Sequence, residues 1–224
     1  MISRNQTYTA AMVIREIQRG RPEKAIKYLD KLFKSAPDNP VLWNLKGVAL
    51  GMMGEHEQSL ECYERVLAAD PAPAVYWNNK GLALQNLGRY AQAEEMYQEA
   101  LHREPESLEA RYNLGNTLQS QERYEEALIQ YNLILDDCPD HLLTLLNRGN
   151  ALASLKRYDE AIADYEKILE ITTEYPDASY NIAHTYEEQG ERDKAIEWYN
   201  KTLEIDPNYH HAMEQLKALK KVRN

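Results

Sequence analysis

Six histidines, two cysteines and several adjacent acid pairs are the side chains of this 224-residue sequence that could do chemistry. Metal binding needs ligands that converge, and the histidines do not: His210 and His211 are neighbours, so on a helix they diverge by about 100°. Cys62 has no histidine near it in sequence to activate it, and a buried, inert thiol is expected there. Cys62 and Cys138 are far apart, which suits reduced thiols better than a structural disulfide. The acid pairs Glu94-Glu95 and Glu125-Glu126 fit a solvated helix face rather than acid–base catalysis. The glycines are isolated, so no phosphate-cradling loop is present. No catalytic residue, no metal site, no cofactor and no enzymatic activity are therefore expected.

The elements that position these side chains follow from a period of 34 residues. Glycine recurs at Gly47, Gly81, Gly115 and Gly149, tyrosine at Tyr63, Tyr97, Tyr131, Tyr165 and Tyr199, and proline at Pro37, Pro71, Pro105, Pro139 and Pro207. The units are 6–39, 40–73, 74–107, 108–141, 142–175 and 176–209, preceded by an extension, 1–5, and followed by 210–224. Each reads as two helices. In 74–107 the apolar spacing predicts helices over about 75–87 and 91–103, with Gly88-Arg89-Tyr90 as the turn and Pro105 as the stop. The repeated glycine weakens its helix by about 1 kcal/mol relative to alanine, which implies close approach of another helix. Ala25, Ala93, Ala127, Ala161 and Ala195, with Ser59 as the variant, are expected to supply the small facing surface. The tyrosines are expected to fill the space between successive pairs, with hydroxyls still able to reach a partner.

The pattern changes towards the ends. The first unit has Thr9 and Val13 at the positions of the recurring tryptophan and glycine, and Leu29 in place of tyrosine. Residues 210–222 read as a lone helix that turns Ala212, Leu216 and Leu219 inward and Lys217 and Lys220 outward, a polar cap of the kind repeat arrays need. Thr173 replaces the recurring proline, so the helix before Tyr175-Pro176 is expected to run longer or end differently.

Composition narrows the partners. The formal charge of −10 argues against nucleic acid, whose phosphates require clustered Lys and Arg. No uncharged apolar run of about 18 residues exists to span a membrane, and the opening residues lead into no signal-peptide stretch; a cytoplasmic location is expected. Residues 6–39 hold seven basic and four acidic side chains, 108–141 two and seven, and 176–209 three and eight, while 210–224 returns to basic.

Trp43 with Gly47 and Leu50, then Tyr63 and Pro71, resembles the tetratricopeptide repeat; Trp77 with Gly81, Leu84, Ala93, Tyr97, Ala100 and Pro105 does so again. The resemblance implies an all-α fold, a right-handed superhelical solenoid of six helix-turn-helix repeats plus a C-terminal capping helix. It also implies a concave face lined by the second, fifth, sixth, ninth, twelfth and thirteenth residues of each repeat. Those positions give three zones here. Thr7, Ala10, Ala11, Ile14, Ile17, Val41, Leu45, Val48 and Met52 are largely apolar. Asn78, Asn79, Gln85, Asn86, Asn113, Asn116, Gln119, Asn147 and Asn150 are largely amide. Asp177, Tyr180, Asn181, His184, Glu187 and Glu188 are aromatic and acidic.

Asn79, Asn113, Asn147 and Asn181 share one register and resemble the asparagine ladder in the tetratricopeptide portion of O-linked N-acetylglucosamine transferases, which holds extended polypeptides. A primary amide can pair with any peptide backbone, and it can equally bond to a neighbouring helix; both roles are open. The carboxylate clamp of chaperone-binding relatives is not expected. Asn116 and Asn147 match its paired amides, but Tyr112, Asp177 and Asn181 stand where it needs basic residues. The function expected is a non-catalytic scaffold holding a peptide segment of a partner protein, with Asn78, Asn79, Tyr112, Asn113, Asn116, Asn147, Asn150, Tyr180, Asn181 and His184 in the groove. The alternatives are a structural protein that self-associates weakly, basic ends on acidic surfaces, and the targeting portion of a larger enzyme complex.

Overall fold

The computed structural model describes the backbone of residues 4–221 and the side chains from residue 11 onward. Among the described residues there are thirteen α-helices and no strand: an all-α helical-repeat solenoid. They fall into two compact units, one reaching Thr117 and the other beginning at Leu118. The first contains α1 (Arg4–Gln18), α2 (Pro22–Phe33), α3 (Pro40–Met52), α4 (His56–Ala69), α5 (Ala74–Asn86), α6 (Tyr90–Arg103) and most of α7 (Leu108–Ser120). The second contains the end of α7, then α8 (Tyr124–Asp137), α9 (Leu142–Ser154), α10 (Tyr158–Ile171), α11 (Pro176–Glu188), α12 (Arg192–Ile205) and α13 (His210–Lys221). Arg4 and Asn5, placed in the N-terminal extension by the sequence, are already helical. Residues 1–3 and 222–224 lie outside the described part, as do the side chains of Thr7, Thr9 and Ala10.

Local chemistry sets the helix ends. Pro22, Pro40 and Pro176 open α2, α3 and α11, where the missing N–H is no loss. Asn39 caps α3 by accepting the Val41 amide at 2.9 Å. Within each hairpin the first helix closes with a left-handed residue. At Gly88 (φ +70°) the chain reverses while the Arg89 amide reaches back to the Leu84 carbonyl. Lys156 takes the same conformation (φ +60°) with no glycine to relieve it. Helix α10 ends at Ile171 with 14 residues, the length of α4, α6, α8 and α12, so Thr173 does not prolong it.

Packing differs from the sequence expectation in one respect. The small facing position does reach the repeated glycine, Ser59 Oγ donating to the Gly47 carbonyl at 2.7 Å, but Gly47, Gly81 and Gly149 also admit the tyrosine ring of their own hairpin. A Cβ on Gly47 would lie 2.7 Å from Cε1 and Cζ of Tyr63, one on Gly81 2.7 Å from Cε1 of Tyr97, and one on Gly149 2.4 Å from Cε1 of Tyr165. The rings are buried, and most hydroxyls are returned to the first helix: Tyr97 donates to Gln85 Oε1 (2.8 Å), Tyr131 to Gln119 Oε1 (2.9 Å) and Tyr199 to Glu187 Oε2 (2.7 Å). In the first hairpin the small–large pairing is exchanged for a medium–medium one, Val13 against Leu29, both fully buried in one cluster.

Successive hairpins are tied at their junctions. Trp43 Nε1 donates to the Pro37 carbonyl and Trp77 Nε1 to that of Pro71, each at 2.7 Å, and Arg111 reaches the Pro105 carbonyl at 2.5 Å. Arg65 and Arg103 lie over the Trp43 and Trp77 rings, 4.5 Å from each centroid. In the second unit α13 buries Ala212 and Leu216 and leaves Lys217, Lys220 and Met213 exposed.

Candidate functional site

In the first unit α1 touches α3 and α3 touches α5, so their outward residues form one surface. Ile14, Val41, Met52, Val75 and Leu82 stand between 40% and 52% exposed along it. A row of exposed aliphatic side chains on one face is a candidate contact surface. Ile17, Leu45 and Val48 are half-buried beside them, and Ala11 is exposed. The sequence placed the apolar zone in the first two repeats only. Val75 and Leu82 extend it into the third, at the repeat positions of Val41 and Val48.

The amides of this unit are largely engaged in joining repeats. Asn79 donates from Nδ2 to Asn44 Oδ1 at 2.9 Å, and Asn113 from Nδ2 to Asn78 Oδ1 at 3.1 Å. Asn78 is only 3% exposed and donates in turn to Glu109 Oε1 at 3.0 Å. It therefore holds α5 against α7 and does not stand on the surface as the sequence suggested. Each half-buried rung, Asn79 and Asn113, has a second N–H and a carbonyl oxygen beyond the bond it makes to the preceding repeat. Tyr112 and Asn116, on α7, are half-buried.

In the second unit α9 touches α11. Asn150 Oδ1 accepts from both the Tyr165 hydroxyl (2.8 Å) and Asn181 Nδ2 (2.9 Å), and Asn147 is half-buried one helical turn away. Around Tyr180 the structure assembles an aromatic cluster. Its ring centroid lies 5.2 Å from that of Tyr209, 5.6 Å from Tyr199, 6.3 Å from His184 and 6.4 Å from His211. Carboxylates frame it: Tyr209 donates to Asp177 Oδ1 and Tyr199 to Glu187 Oε2, each at 2.7 Å, and His184 lies 4.0 Å from Glu188. Burial, and then the adjacent carboxylates, hold the Tyr199 and Tyr209 hydroxyls protonated well above the usual phenol range.

A third group was not foreseen. Arg148 turns towards the second helices, donating to Asp164 from Nε (2.8 Å) and Nη2 (2.5 Å) and to Asn132 Oδ1 from Nη1 (2.8 Å). Asp164 is buried, and the cluster borders a cavity of about 480 Å³ walled by Leu128, Ile129 and Leu152. The available signal was Asp164 itself, a carboxylate where other repeats carry Cys62, Met96, Gln130 and Trp198. Cys62 is a free, buried thiol whose pKa burial raises; Cys138 is free and half-buried. Among the described residues no cluster of His, Cys, Asp and Glu is arranged to hold a metal ion, and no helix is long and apolar enough to cross a membrane.

Family models of the tetratricopeptide repeat match residues 16–81, 78–141 and 140–208. The chain belongs to the tetratricopeptide-repeat family. Among solved tetratricopeptide-like structures, that of YrrB, described as a TPR protein with an unusual peptide-binding site, matches with a TM-score of 0.68 and 24% identity over 84% of this chain and 97% of its own. PilF of Pseudomonas aeruginosa matches with a TM-score of 0.78 and 20% identity, covering 95% of this chain and 96% of its own. PilW, a type IV pilus biogenesis factor, matches with a TM-score of 0.86 and 16% identity, covering 96% and 99%. At such identities the likeness is one of fold. Comparison with curated proteins finds no match.

Proposed function

We propose that this tetratricopeptide chain is a non-catalytic protein–protein interaction scaffold whose first-helix faces hold peptide segments of partner proteins. The row of exposed aliphatic side chains from Ile14 to Leu82 carries the reading. Such a row supplies the apolar contact that drives association, and the Asn79 and Asn113 amides beside it can fix a backbone by hydrogen bonds. In the second unit the Tyr180 cluster, with Asp177, Glu187 and Glu188 around it, suits a Lys or Arg side chain through cation–π and charge attraction.

Selection of a displayed random-peptide library against the full chain tests this. Peptides recovered on the chain are expected to lose at least about tenfold in affinity, roughly 1.4 kcal/mol, with Val41→Asp plus Leu82→Asp. Both positions are exposed, so helicity should be unchanged. Recovered peptides indifferent to that double substitution, or no saturable peptide at all, would remove the first-unit face from the mechanism.

A further inference from the structure

Four hairpins return their tyrosine hydroxyl to the first helix, and the second cannot. Tyr97, Tyr131 and Tyr199 use the twelfth residue of their repeat, and Tyr165, facing Ala153 there, uses Asn150, the ninth. The equivalents in 40–73 are Gly51 and Val48, neither of which has a side chain that accepts a hydrogen bond. The Tyr63 ring is buried as usual, but its hydroxyl pairs with Ser59 instead. Gly51 is not required by contact, since a Cβ there would meet only Ser59 Oγ at 3.5 Å. What its missing side chain leaves is a cavity of about 350 Å³ between α3, α4 and α5.

We propose that this cavity is a pocket for one aromatic side chain with a donor tip, tryptophan or tyrosine, on the segment bound by the first unit. The inference rests on the binding role proposed above for that face. Met52 and Leu82, both part of the exposed row, and Val48 form apolar walls suited to a ring, and the Met52 sulfur adds a favourable aromatic contact. His56 lines the same cavity, and its buried Nδ1 has no hydrogen-bond partner among the described residues. In the tautomer with its proton on Nε2, this ring nitrogen is a hydrogen-bond acceptor, and the indole N–H and phenol O–H are donors. The exposed carboxylate of Glu109, also on the lining, disfavours an acidic occupant. An aliphatic side chain would fill the walls and leave His56 unpaired.

The test uses the full chain and three probes, N-acetyl-tryptophanamide, N-acetyl-tyrosinamide and N-acetyl-leucinamide, titrated while the His56 ring signals are followed by NMR. The two aromatic probes should shift those signals saturably, with the leucine probe at least about tenfold weaker. Gly51→Gln, which installs the residue found at this position in the third and fourth repeats, should weaken the aromatic probes at least about tenfold. Gly51→Ala, which leaves most of the space, should not. An equal response from Gly51→Gln, a preference for the leucine probe, or no saturable shift with either aromatic probe would overturn the pocket. Library-selected peptides that lose affinity with Val41→Asp plus Leu82→Asp yet ignore Gly51→Gln would also overturn it, while leaving the face itself intact as a binding surface.

Discussion

Gly47 and Gly51 lie one turn apart on α3, and the same substitution at each should move stability in opposite directions. At Gly47 an added Cβ would sit 2.7 Å from two carbons of the buried Tyr63 ring. Alanine gains about 1 kcal/mol of helix propensity over glycine, while overpacking a filled core typically loses 1–3 kcal/mol. Taking the overpacking near 2 kcal/mol leaves Gly47→Ala destabilised by about 1 kcal/mol. The sixth repeat supports a moderate figure, because Ala183 occupies the same position against the buried Tyr199. At Gly51 the nearest atom is Ser59 Oγ at 3.5 Å, an ordinary contact. Gly51→Ala, near the helix end, should therefore stabilise by about 0.5 kcal/mol. The separation of about 1.5 kcal/mol corresponds to roughly 0.5 M or more between urea midpoints for a chain of this size. Helical circular dichroism during urea unfolding reads it directly. Shifts of one sign and similar size at both positions would refute the claim that the repeated glycine exists to admit the tyrosine ring.

Two further outcomes follow from the buried polar groups. The phenols of Tyr97, Tyr165 and Tyr199 are raised above their ordinary pKa of 10.0, by burial first and neighbouring carboxylates second, so the folded chain keeps protons that the unfolded chain releases in alkali. Their contribution to stability should be intact below about pH 10 and fall as pH rises beyond it, read as urea midpoints across an alkaline series; a flat profile would contradict their burial. Arg148→Ala strands the buried Asp164 carboxylate and should destabilise by about 2–3 kcal/mol, whereas Arg148→Met with Asp164→Leu should recover most of the loss. A double-mutant cycle with no coupling would show that the pair is not a unit.

Much of this fold is written in residues that must recur. Gly47 and Gly81 repeat because a ring lies against each of them, and Gly88 marks a reversal that a left-handed residue makes easily. Period and helix limits are legible for that reason, down to the lone α13. The ring against each glycine was not legible. Register places a residue on a face, but which ring fills the space beside it depends on rotamers on the opposing helix. Asn78 shows the same limit: its repeat position marks the outward row, yet bonds to Asn113 and Glu109 draw it into the seam between α5 and α7. Val75 and Leu82 were readable from register alone and were overshadowed by the asparagines around them. Arg148 and Asp164 are 16 residues apart on different helices, a separation that carries no local signal.

The seam between repeats in the first unit has a bearing on how such a chain can grow. Asn79 bonds to Asn44 as Asn113 bonds to Asn78, and Trp43 and Trp77 hold Pro37 and Pro71 alike. The edge that 74–107 presents to its predecessor is thus chemically the edge that 108–141 presents to it, amide meeting amide. A duplication or loss of 34 residues in this stretch would join edges already matched to one another. Length in this stretch can therefore change by whole repeats without inventing a new interface, whereas the first hairpin, with Val13 packed against Leu29 in place of glycine against tyrosine, is not such an interchangeable unit.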